Sequence, residues 1–211
     1  MFVPTIYIEN SNNNNTSVEV SDNKLHHLSK VLRLRDGDKV NLSDGKGLIS
    51  YGHFINNYVE IKNSKIYQRQ NKLKIFVPYL REKSRFRFLI EKLTELNVNE
   101  IHIGMTKNTQ NTNYSKFKIK EWSVSALEQS GSAYLPELFF PDKINFNDFS
   151  TCFDISGENF DKNVKKINNF AIGPEGGWTD EELSKFQHKI KISEFSLRTE
   201  TAAITAVSLM M

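Results

Sequence analysis

The sequence predicts an α/β protein in two parts: a small β-barrel over residues 1–68, then a larger domain over 73–211 built on a mainly parallel sheet. Three observations carry that expectation. Residues 1–66 read as short strands and turns interrupted by a single stretch of helical period, the pattern of a small barrel. A polar run, Gln68-Arg69-Gln70-Asn71-Lys72, then marks a linker. Beyond it, apolar strand-like segments alternate with helical ones, an order that makes strands parallel and lays helices on both faces of the sheet.

In the first part, Phe2–Ile8 alternates as a strand, Ser11–Thr16 is a polar asparagine loop and Val18–Val20 is a further short strand. Leu25, Leu28, Val31 and Leu32 fall on one face at helical spacing, with Ser21 or Asp22 as the cap. Asp36-Gly37-Asp38 turns into a strand at Lys39–Leu42. Asp44-Gly45-Lys46-Gly47 makes a hairpin turn into Leu48–Ile55, and Tyr58–Ile66 follows as the last strand. In the second part, strands are expected at Leu73–Val77, Ile101–Gly104, Cys152–Ile155, Phe170–Ile172 and Ile190–Ser193. Helices are expected at Ser84–Leu96, Lys116–Ser130, Thr179–Gln187 and Thr199–Met211. There is no internal repeat.

Composition narrows the class of function. The 211 residues are 38% hydrophobic and 25% charged, proportions of a globular protein rather than a disordered one. The single cysteine, Cys152, makes no internal disulfide, so a reducing cytoplasmic setting is expected. Met1-Phe2-Val3-Pro4 opens no secretory signal, and no run approaches the roughly 20 apolar residues that span a bilayer, so no membrane partner is expected. The five histidines are scattered without ligand spacing, so no metal is expected. The net charge of +3 is too small to establish a nucleic-acid partner. Its distribution is more telling: basic residues gather at 30–39, 81–92, 107–120 and 162–166, where a polyanion could follow them or where they form ordinary solvated faces.

Two segments carry chemistry. In Ala171-Ile172-Gly173-Pro174-Glu175-Gly176-Gly177-Trp178 an apolar strand runs into a turn of three glycines and one proline, then into a helix for which Thr179 and Glu182 form a capping box. Glycines at the carboxyl end of a parallel strand let backbone approach a ligand, where ligands of open α/β sheets sit; a tight turn without a ligand has the same spacing. It is neither a dinucleotide fingerprint nor a phosphate loop, since Gly-x-Gly-x-x-Gly and Gly-Lys-Ser/Thr are both absent. The second segment, Ser196-Leu197-Arg198-Thr199-Glu200-Thr201-Ala202-Ala203, leads into an unusually apolar helix. It offers an anion contact, a hydroxyl and a carboxylate together, or else simply caps a helix, with Thr199 at the end and Glu200 paired to Arg198.

In this order the two segments resemble the signature of the SPOUT class, and more narrowly the RsmE family, whose members methylate N3 of a uridine in 16S ribosomal RNA of the small subunit. Earlier motifs extend the likeness over essentially the whole chain. His27-Leu28-Ser29-Lys30-Val31-Leu32-Arg33 followed by Gly37-Asp38 resembles the family's PUA-like RNA-binding barrel. Glu91-Lys92-Leu93-Thr94-Glu95-Leu96 is similar to the first helix of its methylase domain, and Glu128-Gln129-Ser130-Gly131 with Leu135-Pro136 to a later helix end.

The resemblance implies a trefoil knot, a rare exception to the rule that chains do not knot, and S-adenosylmethionine bound bent within it. It implies a cofactor site of Ile172, Gly173, Pro174, Glu175, Gly176, Gly177, Ile192, Ser193, Ser196, Leu197, Arg198, Thr199 and Ala202, with Ala202 near the adenine. It also implies a homodimer acting on ribosomal RNA or the small ribosomal subunit. Because the methyl donor is already electrophilic, the protein must orient the uridine and remove its N3 proton. Glu200 is the candidate base or base-orienting group, and Arg198 the candidate stabiliser of negative charge on uracil. Lys30, Arg33 and Arg35 are expected to contact phosphates from the barrel, with Lys83, Arg85, Arg87 and Lys107 extending the track. His26 and His27 either meet RNA or are simply packed or solvated.

The chain departs from the family pattern at Lys107-Asn108-Thr109, where Glu-Arg-Ser is common, and at Ser132 and Phe195, where arginines are expected. Ile192-Ser193 stands for Leu-Gly, and Asn97 for a helix-ending glycine. A knotted methylase of ribose 2′-hydroxyls is the enzymatic alternative, and a non-catalytic RNA-binding assembly factor the alternative of another class.

Overall fold

The computed structural model describes residues 3–9, 16–21, 34–70, 72–110, 112, 114–161 and 167–211. The expected helix at Leu25–Leu34, the asparagine loop, His26, His27, Lys30, Arg33 and the basic run at 162–166 lie wholly or almost wholly outside the described residues. The chain divides into two compact units: Met1–Gln70 with Val124–Leu135, and Asn71–Ser123 with Pro136–Met211.

The first unit is a five-stranded half-barrel of β1 (Thr5–Tyr7), β2 (Ser17–Glu19), β3 (Lys39–Ser43), β4 (Leu48–Ile55) and β5 (Tyr58–Ile66), in the order β1-β3-β4-β5-β2. β1 pairs with β3 in parallel and the other pairs are antiparallel. Period-two burial turns Ile6, Val40, Leu42, Phe54 and Val59 inward as one core. Asn56 and Asn57 close the β4–β5 hairpin with φ of 47° and 69°, a two-residue connection whose twist matches that of the strands. A register shift follows Tyr51, and at Gly52 a Cβ would stand 2.2 Å from the Glu60 carbonyl oxygen. The segment Val124–Leu135 is tied in by backbone. Gly47 N–H donates to the Ala133 carbonyl at 2.9 Å, Leu135 N–H to that of Gly45 at 2.9 Å, and the Glu128 carboxylate accepts from Tyr7 N–H at 2.9 Å. Thus the Glu128–Gly131 motif serves the packing of this unit.

The second unit is a six-stranded, wholly parallel sheet in the order β11-β9-β10-β6-β7-β8. Its strands are β6 (Lys74–Pro78), β7 (Glu100–Gly104), β8 (Glu137–Phe139), β9 (Thr151–Asn159), β10 (Asn169–Ile172) and β11 (His188–Lys191). The helices are α1 (Lys83–Glu95), α2 (Lys116–Ser130, which begins in this unit), α3 (Asp180–Leu183) and α4 (Thr199–Met210). Alternation along the central strands sorts their side chains. Ile75, Val77, Phe170 and Ile172 meet Leu89, Ile90 and Leu93 of α1 and Ala203, Ala206 and Val207 of α4. Phe76, Cys152 and Ala171 face the other way, onto Phe149, Trp178 and Phe186. Burying one such Phe contributes about 1.5–3 kcal/mol.

Most expected elements appear within a residue or two. Three differ. β8 was not expected: it is three residues long and pairs only at the sheet's edge. β9 runs on to Asn159, well beyond Ile155. The helix expected at Thr179–Gln187 ends at Leu183, because Gln187 and His188 N–H groups both turn to the Ser150 carbonyl, 3.1 Å away, to enter β11. Asn97 takes the left-handed conformation, φ 56°, that its place at the end of α1 requires.

Candidate active site

β10 ends at Ile172 beside Phe153 of β9, and the turn after β10, the loop after β11 and the start of α4 surround a cleft of about 170 Å³. Its third wall comes from an irregularity. β11 pairs Lys189 with Cys152 but Ile190 with Glu158, so the intervening stretch of β9 escapes pairing with β11. Phe153, Asp154 and Ile155 from that stretch line the cleft. Where the strands rejoin, a Cβ on Gly157 would stand 2.5 Å from the Ile190 nitrogen, so only glycine permits the approach.

The glycine turn is held from several sides. Thr199 Oγ1 donates to the Gly173 carbonyl at 3.0 Å. Asn108 Nδ2 donates to the carbonyls of Gly176, 3.2 Å, and Gly177, 2.9 Å. Glu182 completes the capping box with Thr179 and also accepts from Lys107 N–H at 2.9 Å. A Cβ on Gly173 would meet Trp178 Nε1 at 2.8 Å, and one on Gly176 would meet the Asn108 Cβ at 3.0 Å. Gly177 has φ +70°, the left-handed region that favours glycine. The three glycines therefore answer to three constraints: an indole, an asparagine and a backbone angle.

Of the expected cofactor residues, Ile172, Gly173, Pro174, Glu175, Gly177, Ile192, Ser193, Ser196, Leu197, Thr199 and Ala202 line the cleft. Gly176 and Arg198 do not; Gly176 faces Asn108, and Arg198 is an exposed residue at the N-cap of α4. Phe153, Asp154, Ile155, Trp178, Ile190, Lys191 and Phe195 line it without having been expected. For Phe153–Ile155 the signal was partial: they end the strand expected at Cys152–Ile155, but β9 runs on to Asn159 and they face the cleft only through the register jump. Phe195 is 82% exposed, a large apolar ring at the cleft wall.

Glu200 is buried at the first turn of α4, and its carboxylate is gripped by Arg85 of α1. Nε donates to Oε1 at 2.9 Å and Nη2 to Oε2 at 2.6 Å, while Nη1 reaches the Glu175 carboxylate on the glycine turn. Burial pushes the Glu200 carboxyl up, but the hydrogen bonds from Arg85 and from the backbone, with the charges of Arg85 and Arg198, hold it below the usual carboxylate range. The bonds to Glu200, then Glu175, raise the Arg85 guanidinium further above its ordinary value. A carboxylate so held is a weak proton acceptor and a firm fixed charge. Of the two roles expected for Glu200, the geometry suits orientation better than proton abstraction. Arg85, expected as a phosphate contact, is instead committed to two carboxylates. Arg87 pairs with Glu91 one turn along α1. Lys107 and Arg35 are exposed, the former in the second unit and the latter in the first.

Residues 68–211 match the model of the RNA methyltransferase domain. The chain belongs to this RNA methyltransferase family. Residues 20–49 match the RNA methyltransferase PUA domain as well, which makes the first unit PUA-like. Among its relatives, the ribosomal RNA small subunit methyltransferase E of Buchnera aphidicola subsp. Schizaphis graminum is 29% identical, over 98% of this chain and 94% of its own. Ribosomal RNA small subunit methyltransferase E 2 of Borreliella burgdorferi is 27% identical, over 90% and 88%. The fold is that of ribosomal RNA small subunit methyltransferase E from Neisseria gonorrhoeae, solved bound to S-adenosyl methionine. That structure superimposes with a TM-score of 0.84 at 24% identity, covering 99% of this chain and 97% of that one. The parallel sheet of the second unit is of the kind typical of SPOUT methyltransferases. Among the described residues there is no cluster of His, Cys, Asp or Glu that could hold a metal, and no helix long and apolar enough to cross a membrane.

Proposed function

We propose that this RNA methyltransferase transfers a methyl group from S-adenosylmethionine to N3 of a uridine in small-subunit ribosomal RNA, acting in the cytoplasm as a homodimer. The observation that carries the reading is the cleft at the carboxyl ends of β10 and β11, walled by the Gly173–Gly177 turn and the 192–197 loop. Its chemistry fits the cofactor: Ile172, Leu197 and Ala202 offer apolar or small surface for a purine, while backbone groups of the turn and loop offer directed polar contacts. When bound there, the cofactor supplies an electrophilic methyl on a sulfonium.

The residues of the chain have four tasks. Thr199 and Asn108 keep the turn in the shape that leaves the cleft open. Glu200, fixed by Arg85, orients the reacting base, and its negative charge favours a cationic donor nearby. Arg198, exposed at the cap of α4, is placed to stabilise charge on uracil once N3 loses its proton. Lys30, Arg33, Arg35, Arg87 and Lys107 remain the proposed phosphate contacts. As the methyl is transferred the S–C electron pair is left on sulfur, and the N3 proton passes to solvent water, because Glu200 is held as a fixed charge.

The test is calorimetric titration with S-adenosylmethionine, beside an Ala202→Phe variant that fills the cleft, followed by mapping the methylated position in small ribosomal subunits. Binding by the natural chain, loss in the variant and 3-methyluridine in the RNA are expected. A methyl on a ribose 2′-oxygen would move the reaction to the other knotted class. No cofactor binding, even with RNA present, would leave an RNA-binding assembly factor.

A further inference from the structure

Glu175 of the cleft wall is held from behind by Arg85, a residue outside the cleft lining that no sequence motif singles out. Arg85 lies in the first turn of α1, and the apolar contacts of Leu89, Ile90 and Leu93 with Ala203, Ala206 and Val207 set α1 against α4. That packing places Arg85 opposite Glu200. Its side chain is 18% exposed and that of Glu200 10%, so the pair is screened from water.

Three guanidinium donors are committed: Nε and Nη2 to the two oxygens of Glu200, and Nη1 to Glu175. The first two make the forked arrangement that arginine alone provides, because an ammonium cannot meet both oxygens of one carboxylate and a second carboxylate with the same planar geometry. Glu175 lines the cleft from the glycine turn, and Glu200 follows Thr199, which itself donates to the Gly173 carbonyl. The turn is therefore fastened to the start of α4 at both Gly173 and Glu175.

We propose that Arg85 is a positioning residue of the methyl-transfer site, holding Glu200 of α4 and Glu175 of the glycine turn on one guanidinium, rather than a contact to RNA phosphate. The inference rests on the reading that the cleft binds S-adenosylmethionine. The Glu175–Arg85–Glu200 triad itself carries a charge of −1, offset in part by the exposed Arg198, and this residual negative charge on the cleft wall favours a sulfonium over the neutral thioether product. Arg85 keeps that charge in place. Without it, the two carboxylates repel each other and the turn loses its second attachment. The charged groups around Glu200 are Arg85 from α1, Arg198 from the preceding loop and, across the guanidinium, Glu175 from the turn. Removing Arg85 leaves burial opposed only by Arg198 and the backbone, so the Glu200 carboxyl titrates at higher pH.

The experiment compares the natural chain with Arg85→Gln, Arg85→Lys and Glu175→Gln. It measures affinity for S-adenosylmethionine and its demethylated product, kcat and KM for small ribosomal subunits, and the pH profile of kcat. Arg85→Gln is expected to weaken S-adenosylmethionine binding more than product binding. It should lower kcat roughly 10- to 100-fold, the scale of a misplaced reacting group, and move the acid limb of the profile to higher pH. Arg85→Lys recovers part of the affinity and little of kcat, and Glu175→Gln weakens binding without moving the acid limb. A rise confined to the KM for RNA, with cofactor affinity and pH profile unchanged in Arg85→Gln, would overturn the proposal and return Arg85 to the phosphate track. If Arg85→Gln does not fold, the Arg85→Lys and Glu175→Gln pair decides on the same readouts: both unchanged in cofactor affinity and pH profile overturns it. If the natural chain binds no cofactor, the reading of the cleft fails, an outcome distinct from unchanged binding in the variants.

Discussion

Thr199 donates its side-chain hydroxyl to the Gly173 carbonyl at 3.0 Å, so the last helix of the chain and the glycine turn after β10 are joined across 26 residues of sequence by a partly buried bond. Thr199→Val keeps the shape and removes the donor. The loss of a hydrogen bond of this kind is worth about 1 kcal/mol, which lowers Tm by about 2–4 °C in a protein of this size. Thermal unfolding followed by circular dichroism measures the shift, and titration shows whether S-adenosylmethionine affinity falls with it. An unchanged Tm together with unchanged affinity would remove Thr199 from the account of the turn.

Gly173→Ala tests the indole side of the same turn. The added Cβ meets Trp178 Nε1 at 2.8 Å, and Trp178 is hemmed in by Phe146 and Phe186, at centroid distances of 5.3 and 5.1 Å. Overpacking at such a place costs about 1–3 kcal/mol. A lowered urea midpoint with altered tryptophan fluorescence is expected, and a wild-type emission spectrum and midpoint would contradict it.

Glu200 makes stability depend on pH in a stated direction. Its carboxyl is depressed below the ordinary value of 4.5, so it contributes stability above that value and loses the contribution as pH falls through the folded pKa. Glu200→Gln removes one partner of a buried pair, for which losses of about 3–5 kcal/mol are the upper range. The natural chain should therefore be the more stable at neutral pH, with the gap narrowing as pH drops below 4.5. Urea midpoints across that range measure it; a gap independent of pH would show that the charge of Glu200 is not what stabilises.

Cys152 is buried in the parallel sheet, and burial, with the nearby Asp154 charge, pushes its thiol up to about 12 against the smaller opposing effects of Lys189 and the backbone. A thiol at about pH 8 normally supplies a useful fraction of thiolate. Here alkylation is expected to be slow in the folded protein and fast in urea, so that thiol labelling reports unfolding. Rapid labelling of the native chain would be the contrary result.

Much of the fold was legible because each signal was local. The hairpin turn at Asp44–Gly47, the capping box of Thr179 and Glu182, and the apolar period of α1 each determine their own surroundings. The walls of the cleft were legible only in part. Phe153–Ile155 enter it through a register jump against a strand more than 30 residues later, and nothing in the order Cys-Phe-Asp-Ile-Ser announces that jump. Arg85 read as one more cation in a basic helix because its partners, Glu175 and Glu200, are 90 and 115 residues away. Asn108 read as a departure from a motif, yet its amide holds the carbonyls of two glycines. α3 read too long, since helical propensity continues past Leu183 while the Ser150 carbonyl draws Gln187 and His188 into β11.

The helix Lys116–Ser130 is continuous, but its residues up to Ser123 belong to the second unit and those from Val124 to the first. Cutting the gene at the polar linker therefore does not yield two intact modules. A fragment ending at Gln70 is deprived of the acceptors for Gly47 N–H and the Ser43 hydroxyl and of the carboxylate for Tyr7, while a fragment beginning at Asn71 carries the Ala133 and Ser132 carbonyls without those donors. Recombination that exchanged the PUA-like end of such a protein for another would have to carry the stretch 124–135 along with it, from the middle of the other gene segment.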